Sequence, residues 1–222
     1  MITGLETLVV PAFLTLASFD SCKTKPLPNV KTIIKNEPIQ YDKTKTHRDL
    51  SSFNIDTVSP YGSSVHTKVS GLMSGNINVS MSAQIGWSTN PVNKSSCVWY
   101  DDINVIITAS PTIYIAKEHV GNRCRYNATM KHELKHVKVD QQILTKFQKI
   151  FTYNVKKMAR EVSVIGPIRS SDVDLARADM NQQIQKVIQN TLDELKVERR
   201  KRQQYVDSKA EYDRLGKMCG GK

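Results

Sequence analysis

The chain has 222 residues, a formal net charge of +11 and 39% hydrophobic residues. This length and apolar content predict a folded core and exclude an intrinsically disordered chain. The positive charge suits anionic partners such as nucleic acid, acidic lipid or an acidic polymer, but it selects none of them by itself.

Residues 1–25 are predicted to form a signal or an apolar N-terminal segment. The apolar run from Leu8 to Phe19 resembles the hydrophobic part of a secretory signal, which predicts an extracytoplasmic (periplasmic or secreted) protein. The alternative is an apolar helix docked on the core, because Glu6 precedes the run and Pro11 interrupts it. The run is too short to span a bilayer, and no transmembrane helix is predicted elsewhere.

Residues 30–222 are predicted to form one α+β domain, with a small antiparallel β-sheet at about 30–116. The segment Asn76–Trp87 alternates polar and apolar residues, as a strand with one buried face does. The segment Ile103–Thr108 is rich in β-branched residues, which favours another strand. Short connections favour antiparallel pairing.

Two long helices, at about 127–162 and 171–215, are predicted to follow the sheet as a hairpin. Apolar residues recur three and four positions apart along the first helix, which indicates a buried face. Gly166 and Pro167 separate the two helices, and Ser170–Asp172 resembles an N-cap for the second.

The first helix carries a His-Glu-x-x-His run at His132, Glu133 and His136. Residues four apart share one face of a helix, so both imidazoles could bind one zinc ion, with Glu133 as general base for a water molecule. Asp140, one turn later, is predicted to orient His136. The alternative is a pair of surface histidines on a basic helix, since lysines at 131, 135 and 138 flank the run.

Four cysteines are present, at positions 22, 97, 124 and 219. Cys97 and Cys124 flank the predicted strands, and a disulfide between them is plausible in an exported protein. Buried free thiols are the alternative. The basic run Arg199–Arg202 is interpreted as a solvated helix face, because no aromatic residues accompany it and no nucleic-acid motif is present; no specific nucleic-acid partner is predicted.

The order of these features resembles a bacterial family of predicted secreted or periplasmic zinc-dependent proteases. The resemblance covers about 33–220 and rests on the strands, on Cys97, on the His132–His136 run and on Tyr212-Asp213. It implies Asp213 as the third zinc ligand. The pairing register of the two helices favours Glu194 or Glu198 instead, and His119 lies in an upstream loop within reach.

The sequence therefore predicts a zinc metallopeptidase, a hydrolase of peptide or protein substrates in the cell envelope. Two alternatives remain at this stage. One is a non-catalytic envelope protein with a degenerate metal site, and the other is a basic helical module that binds an anionic envelope polymer.

Overall fold

The computed structural model describes residues 22–23, 25–54, 57–62 and 68–220. The predicted apolar segment, residues 1–25, lies almost wholly outside these ranges. Within them, no helix is both long enough and apolar enough to cross a bilayer.

Strands and helices are interspersed along the chain, mostly in pairs of one type. The strands are β1 (Asn29–Asn36), β2 (Gln40–Asp42), β3 (Gly71–Thr89), β4 (Ser95–Ile115) and β5 (Val164–Arg169). The helices are α1 (His47–Ser51), α2 (Lys117–Val120), α3 (Arg123–Glu161), α4 (Val173–Val206) and α5 (Lys209–Lys217), with a 3-10 turn at Ser170–Asp172.

All five strands form one sheet around β4, which has 21 residues and pairs with each of the others. β3 and β5 are antiparallel to β4, whereas β1 and β2 are parallel to it. The prediction of an antiparallel sheet is therefore wrong, because the sheet is mixed. The reason is that β1 and β2 pair with β4 and not with the next strand along the chain. The connection from each of them to β4 includes β3 and is long enough to allow parallel pairing.

The helices α3 and α4 cover one face of this sheet. Along β4 the buried residues alternate with more exposed ones, so one face of the strand meets the helices. The core comprises Val98, Tyr100, Ile103, Val105 and Ile107 from β4, Phe147, Phe151 and Val155 from α3, and Met180, Ile184 and Leu195 from α4. This packing fixes the inner face of α3 against the sheet, and the candidate ligands lie on that face.

The helix α3 has 39 residues and begins where the Asn122 side chain accepts a hydrogen bond from the Arg125 N–H. Helix α4 runs beside it in the opposite order, because Gln203 contacts His136 while Thr191 contacts Asn154. The two helices are not joined as a simple hairpin. After α3 the chain returns to the sheet as β5, a strand that the sequence analysis did not predict.

Two disulfides link Cys22 to Cys97 and Cys124 to Cys219. The predicted pair, Cys97 with Cys124, is therefore wrong. Cys97 lies near the start of β4, and Cys124 follows the far end of that strand at the start of α3. The strand between them spans roughly 60 Å at its usual rise per residue. Two disulfides are consistent with an extracytoplasmic protein.

Candidate metal centre

Three buried ligand atoms converge where α3 meets the end of α4. His132 Nε2 lies 3.1 Å from Asp207 Oδ1, and His136 Nε2 lies 3.2 Å from the same oxygen. The two Nε2 atoms are 3.3 Å apart. All three side chains are buried, and together they form a group that could hold a metal ion.

This spacing fits a tetrahedral metal ion. Zinc–nitrogen and zinc–oxygen bonds are about 2.0–2.2 Å long, so two ligand atoms at a tetrahedral angle lie about 3.3–3.6 Å apart. The three observed separations lie at or slightly below the short end of this range. Three protein ligands with imidazole and carboxylate donors would also leave a fourth position for water or substrate.

The tautomer of His136 is set by Gln203. The Gln203 Nε2 group donates to the His136 backbone carbonyl at 3.2 Å and to Asp140 Oδ1 at 2.7 Å. The amide oxygen of Gln203 must then face His136 Nδ1, from which it lies 2.5 Å away. His136 therefore carries its proton on Nδ1 and presents the Nε2 lone pair to the ligand group.

The carboxylate of Glu211 has the same effect on His132. Its Oε1 atom lies 3.3 Å from His132 Nδ1, so the Nδ1–H donates and the Nε2 lone pair faces Asp207. Two imidazole lone pairs and a carboxylate oxygen thus meet at one point. Such a set of acceptors could hold a cation, and outer carboxylate and carbonyl partners of this kind are typical of metal-binding histidines.

Asp207 terminates α4, where its backbone N–H donates to the Gln203 carbonyl. Burial alone would raise the pKa of Asp207. Without a metal ion, protons on His132 Nε2 and His136 Nε2 donate to its carboxylate and lower that pKa well below the usual range, and a bound cation would take the place of these protons. The side chain is therefore an anion at neutral pH. A buried carboxylate held in this way is a suitable ligand for a divalent cation.

Glu133 lies beside the ligand group but does not belong to it. Burial raises its pKa to about 7, although the neighbouring histidines oppose the shift. Its carboxylate accepts a hydrogen bond from the backbone N–H of Met73 on β3. This contact orients the side chain between the edge of the sheet and the histidines, as a general base for a nearby water would require.

Asp213 does not belong to the ligand group, so the third ligand that the resemblance implied is wrong, and Asp207 takes that place. Asp213 Oδ1 accepts from the Tyr61 hydroxyl at 2.6 Å, and Oδ2 contacts Lys209 at 2.7 Å. The other candidates also lie elsewhere: Glu194 is exposed, Glu198 pairs with Lys146 and Arg202, and His119 contacts Thr129.

Asp140 does not contact the His136 ring directly, as the prediction required, but acts on it through Gln203. It contacts Gln203 at 2.7 Å and pairs with Arg199 at 2.8 Å, and Gln203 in turn contacts His136. The predicted influence of Asp140 on His136 therefore passes through an amide side chain. Neither Asp207 nor Gln203 was singled out by the sequence analysis.

The flanking lysines do not crowd the ligand group. Lys131 and Lys138 are exposed, away from the buried histidines on the same helix. The Lys135 ammonium group lies 2.6 Å from Glu211 Oε1 and is therefore neutralised locally. These lysines therefore repel a bound divalent cation only weakly, because their ammonium groups extend into solvent, where water and salt screen their charge.

The ligand group opens into a cleft of about 760 Å³. Its walls include the first residues of β3, the start of α3 and the α5 region, with Tyr212 beside the ligands. The Tyr212 hydroxyl donates to Asp207 Oδ1 at 3.3 Å, and burial raises its pKa. The group is therefore accessible to a substrate larger than water.

We expect Asp207→Asn to weaken zinc binding by more than about 100-fold, because loss of a charged ligand should exceed the 10–100-fold effect of an outer partner. Asp213→Asn is the matched control and should change the zinc dissociation constant by less than about threefold, since Asp213 lies outside the group. Competition with a chromogenic chelator measures both. Equal effects of the two substitutions would contradict the ligand assignment.

Comparison of the chain with protein-family models, with curated proteins and with solved structures finds no match. The resemblance to secreted zinc-dependent proteases therefore stays a prediction. What can be said about function comes from the geometry of the metal centre and of the cleft around it.

Proposed function

We propose that the protein is an extracytoplasmic zinc-dependent peptidase. The observation that carries this proposal is the convergence of His132, His136 and Asp207 on one point, with Glu133 beside them on the floor of a cleft. Bound zinc would supply Lewis acidity, which acidifies a water molecule and polarises a carbonyl group.

The residues of the chain have separate roles in this chemistry. Glu133 accepts the proton of the attacking water and can return it to the leaving amine. Glu211 and Gln203 keep the two imidazole rings oriented through their Nδ1 atoms. The Tyr212 hydroxyl, which contacts Asp207, is a neutral donor that can turn towards a substrate oxygen.

The edge of β3 supports a peptide as substrate. Ser70 C=O accepts from Ala116 N–H, so even-numbered residues here pair with β4 and odd-numbered ones face outward. Met73 fits this alternation, because its N–H points to Glu133. The outward backbone groups of Gly71 and Gly75, with the C=O of Met73, border the cleft, where an extended peptide could add as a further strand.

Two glycines allow α3 to approach this strand closely. A Cβ atom at Gly71 would lie 2.4 Å from Thr129 Cγ2 and 2.7 Å from Glu133 Oε1. A Cβ atom at Gly75 would lie 3.0 Å from Asp140 Oδ2. Because these positions have no side chains, the edge of β3 lies close to Glu133. A peptide bond bound on that edge would therefore also lie close to Glu133.

The test combines metal content with hydrolysis. Purified protein should contain about one zinc per chain by elemental analysis and should cleave labelled, unfolded casein. Removal of the metal with a chelator should abolish cleavage, and added zinc should restore it. Hydrolysis that is unaffected by metal removal would contradict the proposal. Zinc without any hydrolysis would favour the alternative, a non-catalytic protein with a metal site.

A further inference from the structure

The outer face of α3 carries cations without any acidic residue before the last turn. The acidic residues of this helix are Glu133 and Asp140, which are buried, and Glu161, which is its final residue. Six cations share the exposed side. They are Lys131, Lys135, Lys138, Lys149, Lys156 and Arg160, and all six are exposed. We refer to these six residues as the cationic stripe.

The stripe is long, straight and narrow. At 100° per residue, its members lie within about 40° of Lys131 around the helix axis. They lie about 180° from the core residues Phe147 and Phe151, so they face away from the sheet. At 1.5 Å per residue, the distance from Lys131 to Arg160 is about 43 Å.

Little of this charge is neutralised within the protein. Lys135 pairs with Glu211. Across residues 22–23, 25–54, 57–62 and 68–220, none of the other five stripe residues forms an ion pair. The basic run on α4 differs, because Arg199 pairs with Asp140 and Arg202 with Glu198. Among the described residues, five of the six stripe cations have no ion pair, against two of the four cations of the α4 run, so α3 carries the longer row of charge.

The shape of the stripe indicates the kind of partner. A helix that lies on a membrane buries an apolar face in the lipid, but the apolar face of α3 is already buried against the sheet. A single row of charges instead matches a chain that lies along the helix. Five of the six residues are lysines, whose ammonium groups bind phosphate as point charges.

We propose that the cationic stripe binds a linear, phosphate-bearing polymer. This inference does not depend on the proposed peptidase activity, because no stripe residue belongs to the ligand group and only Lys135 contacts one of its outer partners, Glu211. A bound polymer would hold the protein on an anionic matrix while leaving the cleft free. Aromatic side chains that stack on bases are sparse here, with Tyr153 the exposed example on α3, so the phosphate chain itself is the recognised feature.

The test uses inorganic polyphosphate of about 50 units, measured by fluorescence anisotropy over a range of salt concentrations. The triple variant Lys149→Gln/Lys156→Gln/Arg160→Gln should raise the dissociation constant about tenfold or more at 0.1 M salt. The slope of log affinity against log salt should fall by about two, since three contacts are lost. These residues are distant from the ligand group, so zinc content should not change.

The control variant Lys31→Gln/Lys117→Gln/Lys186→Gln removes the same charge from exposed positions off the stripe. It should alter the dissociation constant by less than about threefold, through net charge alone. Equal weakening in the two variants would overturn the proposal. Tighter binding to phosphatidylglycerol vesicles than to polyphosphate would also overturn it, because a membrane would then be the partner.

Discussion

Glu133→Gln should abolish peptide hydrolysis while zinc remains bound. The amide has the shape of the carboxylate and can still accept the Met73 N–H, but it cannot take a proton from water. General-base catalysis contributes about 10²–10⁴-fold, so turnover should fall by at least about 100-fold. Turnover of casein and zinc content, measured on the same preparation, check the result.

The control for this substitution is Glu198→Gln, on α4. Glu198 pairs with Lys146 and Arg202 at the surface and does not line the cleft. It should retain hydrolysis within about twofold, because surface ion pairs contribute little. Retention of most activity in Glu133→Gln would eliminate Glu133 as the base. Loss of zinc in that variant would mean that Glu133 supports the ligand group instead.

Removal of the Cys124–Cys219 disulfide should lower both the stability of the protein and its affinity for zinc. The bond joins residues 95 apart in sequence, and closing a loop of that size is worth about 4–5 kcal/mol in the chain-entropy estimate. It also fastens the end of α5 to the start of α3. Because α5 carries Glu211 and Tyr212, its release should loosen the partners of the metal ligands.

The other disulfide provides a matched control. Cys22–Cys97 joins residues 75 apart, so its removal should cost a similar amount of unfolding free energy. It lies near the start of β4, far from the ligand group, and zinc affinity should change less than about threefold. Denaturant unfolding and chelator competition on the two double Cys→Ser variants separate these effects. Equal loss of zinc affinity would show that α5 is not held specifically by Cys124–Cys219.

Local patterns in the sequence predict the elements that depend on local physics. The alternation in Asn76–Trp87 lies within β3, and the apolar periodicity of the first helix corresponds to α3, although α3 begins four residues earlier, at Arg123. These patterns record which side of each element is buried. Strand pairing is different, since neither composition nor periodicity reveals that β1 and β2 join β4 in parallel.

The third ligand illustrates the same limit in the metal centre. The sequence pattern suggested one helix from 171 to 215, but α4 ends at Val206 and α5 begins at Lys209. The break places Asp207, and not Asp213, beside the histidines. A local signal was present, because Ser208 and Glu211 have the Ser-x-x-Glu spacing of a helix start, and Ser208 does cap α5. The contact with the histidines is tertiary and has no such signal.

The ligands of the metal centre are widely separated in the sequence, with Asp207 following His132 by 75 residues. At a synthesis rate of about 5–20 residues per second, the histidines emerge roughly four to fifteen seconds before the aspartate. A nascent chain with two imidazoles alone binds zinc weakly, so tight capture must wait until α4 has folded back along α3. Under the proposed zinc-dependent function, metal uptake would therefore follow translation of α4, and the zinc bound per chain would report the fraction of chains that have completed folding.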